Sequence, residues 1–170
     1  MQEVLKALNR LVADGIVENY AIGGAVGASF YIEAVQTEDV DAFVFLPPSF
    51  KTIASLSPIY QSLQASGGTV EKEHVRFGEW PLQILPDANP LISEAIRDAV
   101  TVDFNGTPTR VFRAEHLCAI ALQTGRVKDN LRVTMFLQQQ AVNLNSLNAL
   151  ATQYGLVERM RKALEAGKHD

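Results

Sequence analysis

Residues 20–46 read YAIGGAVGASFYIEAVQTEDVDAFVFL, and the parsing of this stretch decides the fold. Asp39 to Leu46 is a β-branched and aromatic run stopped by Pro47-Pro48, the pattern of a strand, with an acidic start that a buried strand does not ordinarily carry. Upstream, Tyr20-Ala21-Ile22 is a short apolar approach to Gly23-Gly24, and the small and apolar residues from Ala25 to Ala34 suit a buried helix. The local order is strand, glycine turn, helix, strand.

That order places two chemical groups near each other. Side chains two positions apart on a strand share a face, so Asp39 and Asp41 project together about 6.5 Å apart along the chain. Two such carboxylates repel unless a cation lies between them, and Mg²⁺ suits a set made of carboxylate and phosphate oxygens. A Gly-Gly turn before a helix offers backbone N–H groups to phosphate, and a Cβ there would block close approach. One helix length separates Gly24 from Asp39, which lets the chain return and set turn and acids beside one cleft.

Outward from this centre, Val4, Leu5, Leu8, Leu11 and Val12 form the stripe of a helix ended by Asp14-Gly15. Lys51 to Ala65 has helical spacing up to Gly67-Gly68, and Val70–Phe77 and Trp80–Leu85 predict two strands turning at Gly78-Glu79. Asn89-Pro90 caps a helix running to about Ala99, and Asn105-Gly106 supplies the tight turn of a small hairpin. From Ala114 on, helical pieces break at Gly125, near Asn143 and at Gly155. The expected fold class is α/β (α+β), a small mixed sheet flanked by helices with a C-terminal helical bundle. The expected organisation is one domain over 1–170, with a sheet core to about residue 112 and helices from about 113 packed on it.

Composition bounds the function. With 170 residues, 47% hydrophobic and 20% charged, the chain is an ordinary globular one with material for a sizeable core. A net charge of −4 with dispersed basic residues gives no broad surface for duplex nucleic acid, but leaves room for a small anion at a local basic cluster. The lone Cys118, among Leu117, Ala119 and Ile120, reads as a buried thiol, and no internal disulfide is possible. Without a signal-like N-terminus or an apolar run of about 18 residues, the expected location is the cytoplasm, away from membranes. His74 and His116 lack companions at ligand spacing, so zinc is not expected, and Trp80 is expected to pack beneath the hairpin. Walker loops, Cys-x-x-Cys pairs and a Ser-His-Asp order are absent.

Ile22-Gly23-Gly24, fourteen residues, then Asp39-Val40-Asp41 resembles the signature of the DNA polymerase beta nucleotidyltransferase superfamily. The resemblance spans about Tyr20 to Arg132. It implies that the glycine turn holds a nucleotide triphosphate and that Asp39 and Asp41 bind catalytic Mg²⁺ or Mn²⁺. Glu115-His116-Leu117-Cys118-Ala119-Ile120 followed by Gly125-Arg126-Val127-Lys128-Asp129 looks like a segment of the small abortive-infection-type nucleotidyltransferases. These often carry a lysine where Ala121 stands and an acid where Arg132 stands. That likeness implies a toxin-like protein with an antitoxin-like partner. Arg126 and Lys128 are candidates for the nucleotide phosphates, with Asp129 orienting one of them through an ion pair.

The superfamily places a third carboxylate, commonly the base, on the next sheet strand, where this chain has Gln83. An amide brings a ligand oxygen but no charge, and accepts no proton near neutral pH. Glu79, four residues away along a strand or about 13 Å, is too far to replace it, and Asp103 cannot be placed. The expected activity is transfer of a nucleoside monophosphate from an NTP to a hydroxyl of a tRNA, protein or small molecule. The alternative is a degenerate nucleotide-binding or interaction module of the same fold.

Overall fold

The computed structural model describes residues 1–33, 37, 39–48 and 56–166. Among these the chain forms α1 (Gln2–Ala13), β1 (Asn19–Ile22), α2 (Gly24–Ala28), β2 (Val40–Phe45), α3 (Ser57–Ala65), β3 (Thr69–Glu71), β4 (His74–Phe77) and β5 (Trp80–Pro86). There follow α4 (Pro90–Arg97), β6 (Val100–Phe104), β7 (Thr107–Val111), α5 (Ala114–Thr124), α6 (Val127–Gln138), α7 (Leu144–Gln153) and α8 (Val157–Ala166). No helix among the described residues is long and apolar enough to cross a membrane.

The seven strands make one mixed sheet in the order β3-β4-β5-β2-β1-β7-β6. β2 pairs with β5 and β1 with β7 in parallel, and the remaining neighbours are antiparallel. Alternation along β2 sorts its side chains: Val40, Ala42 and Val44 join Leu5, Leu8 and Leu11 of α1 and Leu63 of α3 in one core. On the other side Phe43 and Phe45 pack against a second core containing Ile96 of α4, Leu117 of α5, Phe136 of α6 and Leu150 of α7. The sheet therefore divides two apolar layers, and Asp41 faces the layer built by the late helices.

Several sequence expectations hold at their stated places. Asn89 caps α4 by accepting from the Ile92 N–H at 3.0 Å, with Pro90 following. Asn105 and Gly106 take φ +49° and +81°, the pair that turns β6 into β7. Trp80 packs with Met1, Leu5, Phe30 and Phe104 around an apolar hollow.

Two elements differ from expectation. The helix after Gly24 ends at Ala28, because the Ser29 hydroxyl donates to the Val26 carbonyl at 2.7 Å and the Phe30 N–H turns to Gly27 instead, at 3.4 Å. Ala34, its expected end, lies outside the described residues, as do residues 51–55 of the next helix and His169. The run Val70–Phe77 is two strands, because Lys72 at φ +57° reverses the chain between β3 and β4.

Candidate active site

β2 begins beside Asp39 and carries Asp41 on the face of the late helices, so both carboxylates open into a cleft of about 570 Å³ between sheet and helices. Gly24, Gln83, Arg126, Lys128, Asp129 and Arg132 line the same cleft. The sheet supplies the acids, and the start of α6 supplies the cations.

The glycine turn is fitted to Asp41. Gly24 has φ +56°, and a Cβ on it would overlap the Asp41 carboxylate. Gly23 donates its N–H to the Asp41 carbonyl at 2.9 Å, extending the ladder of β1 and β2, and a Cβ there would run into the rings of Phe43 and Phe112. Those two rings meet at a 40° tilt with centroids 4.9 Å apart and line the cleft. Gly23 thus fixes the backbone, while Gly24 leaves the space Asp41 occupies.

Burial raises the Asp41 pKa above the ordinary carboxylate value, and the charge of Asp39 raises it further. Lys128, Arg132 and Arg126 oppose the rise from across the cleft. A buried carboxylate whose ionisation is disfavoured gains from a neighbouring cation, so Asp41 with Asp39 beside it makes a donor set that suits a divalent metal.

Asp129 does not open freely to the cleft. It is 1% exposed and accepts from Arg126 Nε at 2.6 Å, Arg126 Nη2 at 3.3 Å and the Thr124 hydroxyl at 2.8 Å. Arg132 Nη1 stands 3.4 Å from its other side. Burial alone would raise the Asp129 pKa; the hydrogen bonds from Arg126 and Thr124, with the charges of Arg126 and Arg132, outweigh it and hold the carboxyl below the ordinary range. Asp129 thus pairs with the guanidiniums of Arg126 and Arg132.

Gln83 is the register partner of Asp41 across β2 and β5, and on its other side it pairs with His74 of β4. Asp103 is engaged elsewhere, accepting from the Gly106 N–H at 2.9 Å in the β6–β7 turn, and Glu79 lies in the turn before β5, outside the cleft lining. Cys118 is buried, with its thiol pushed up first by burial and then by Glu115. The sequence reading missed Arg132, whose position four residues after Lys128 put it on the same helical face. It also missed Asn89, read only as a helix cap, and Gln123; the two line the cleft hydrogen-bonded to one another at 3.2 Å.

No model of a known protein family matches the chain, and no curated protein matches it. Solved structures do. An antigenic nucleotidyltransferase-like protein from Paracoccidioides brasiliensis superposes with a TM-score of 0.61 at 17% identity, covering 98% of this chain and 91% of that one. The antibiotic-resistance factor ANT(2'')-Ia superposes with a TM-score of 0.53 at 17% identity, covering 99% of this chain and 97% of that one. The chain shares the fold of nucleotidyltransferase-like proteins along nearly its whole length. The likeness does not single out the abortive-infection-type group.

Proposed function

We propose that this protein is a divalent-metal-dependent nucleotidyltransferase that moves a nucleoside monophosphate from an NTP to a hydroxyl acceptor. One observation carries the reading: two carboxylates at and beside β2 and three cations from α6 and its N-cap meet in one cleft, beside a glycine whose missing Cβ makes room for one of the acids.

Asp39 and Asp41 would hold Mg²⁺ or Mn²⁺, which supplies neutralisation and polarisation of the phosphates when bound. Arg126, Lys128 and Arg132 bring three positive charges for the triphosphate, and Asp129 pairs with two of them. Gln83, in register with Asp41, offers an amide that can donate or accept a hydrogen bond but takes no proton, so the acceptor hydroxyl relies on its environment for deprotonation. With a net charge of −4, a small polyhydroxylated molecule suits this cleft better than tRNA. An antitoxin-like partner is no part of this reading.

Incubation with each α-labelled NTP, Mg²⁺ or Mn²⁺ and a panel of small hydroxyl acceptors tests it. Labelled product with release of pyrophosphate is expected, lost in Asp41→Asn. Absence of both product and nucleotide binding with all four NTPs overturns it.

A further inference from the structure

Among the described residues, one group of three metal-ligating side chains draws its donor atoms together. Glu94 and Asp98 lie four residues apart near the end of α4, and His116 faces them from α5. One donor atom from each lies within 4.8 Å of the others. The hollow of about 540 Å³ they line shares no residue with the catalytic cleft.

We infer that Glu94, Asp98 and His116 form a second metal site, taking Zn²⁺ or a similar borderline divalent cation, that ties α4 to α5. His116 Nε2 and Glu94 Oε1 are 3.3 Å apart. That is long for a charge-assisted hydrogen bond but close to the roughly 3.4 Å between two donors on a tetrahedral zinc. The His116 side chain is 5% exposed, and its Nδ1 is buried without a hydrogen-bond partner among the described residues. An ion takes only one nitrogen of an imidazole, and with Nδ1 buried in the protein it is Nε2, beside Glu94 Oε1, that the cluster offers to a cation.

The surroundings suit a ligand role. The other Glu94 oxygen accepts from the Tyr154 hydroxyl at 2.6 Å and from Gln153 Nε2 at 2.9 Å, which fixes the carboxylate and leaves Oε1 toward His116. Asp98 is exposed, and its carboxylate makes no hydrogen bond to a described residue. Solvent reaches the hollow, which leaves a coordination position for water. The set of one imidazole and two carboxylates, without thiolate, selects Zn²⁺ or Co²⁺ over soft metals.

Calorimetric titration of the metal-stripped full chain with Zn²⁺, with Co²⁺ absorption as a second readout, tests the site. One ion per chain is expected here, with tetrahedral Co²⁺ bands in the visible, retained in Asp39→Asn with Asp41→Asn. His116→Ala or Glu94→Gln should weaken binding by at least about 100-fold and Tyr154→Phe by about 10-fold. Free Zn²⁺ at a hundred times Kd should raise Tm by roughly 5–10 °C. If His116→Ala does not fold, Asp98→Asn, an exposed change, carries the same expectation of weakened binding. Zn²⁺ binding absent at millimolar concentration, or unchanged in Glu94→Gln and Asp98→Asn, overturns the site and leaves the nucleotidyltransferase reading untouched.

Discussion

Asp41 and Gln83 stand side by side: the parallel register of β2 and β5 pairs their Cα positions, so a carboxylate and a carboxamide share one face of the cleft. Restoring a carboxylate there is therefore a local test of chemistry. Gln83→Glu, or the shorter Gln83→Asp, should tighten Mn²⁺ binding and raise the transfer rate on the order of 10²-fold, the ordinary contribution of a positioned base. A robust wild-type rate that neither variant improves would show that the proton leaves by another route.

Asp39→Ala with Asp41→Ala should remove Mn²⁺ binding at the cleft, measured by calorimetry. In wild type, acidification should release the metal at a higher pH than an ordinary aspartate pair would, because burial and Asp39 raise the Asp41 pKa. The same shift has a signed effect on stability. A carboxyl with a raised folded pKa favours folding most when protonated, and that advantage is lost as pH rises through the folded value. Asp41→Asn should thus raise Tm at pH 7, with the gain vanishing below about pH 3.9, the unfolded value. A Tm increase that persists unchanged at low pH would contradict the assignment.

Gly24→Ala tests the fit between turn and acid. The left-handed backbone alone costs about 1–2 kcal/mol for a residue with a Cβ, and the new methyl must displace the Asp41 carboxylate. Mn²⁺ and NTP affinity should fall further than the loss of Tm explains. Should unfolding account for the whole loss, the turn is structural and its part in binding is wrong.

Asp129→Asn should destabilise by about 2 kcal/mol, since it leaves the 15% exposed Arg132 short of its countercharge while the more exposed Arg126 relaxes into water. The NTP KM should rise with little change in folding cooperativity. Because its folded pKa is depressed, the stability that Asp129 contributes is present above the unfolded value and is lost as pH falls through the folded one. Equal acid sensitivity of wild type and variant would remove Asp129 from this account.

Much of the sheet was legible because its signals are local. Val40–Phe45 announces itself by β-branched and aromatic content, and Asn105-Gly106 by the backbone its turn demands. The end of α2 was not legible, because it rests on a single Ser29 hydroxyl bonding back to a carbonyl. The acids and Gln83 were readable from spacing and resemblance, whereas Arg132 was visible only as a departure from pattern, and its ion pair with Asp129 gave it a place in the cleft. The acidic neighbour of His116 comes from another helix 22 residues earlier, which no sequence window shows.

The division of the cleft between sheet and helices also sets an order of events during synthesis. The acids at residues 39–41 leave the ribosome about 85 residues before Arg126, an interval of roughly 4–17 s at ordinary elongation rates. Throughout that interval the nascent sheet carries two uncompensated negative charges, and the face of Phe43 and Phe45 lacks the part of its core that α5 and α6 supply. A chain stalled or cleaved after Val111 would expose both, a sticky apolar face beside a self-repelling edge. Completion of α6 ends the two exposures together, so the segment that equips the cleft with cations is also the one that makes the finished chain safe to release.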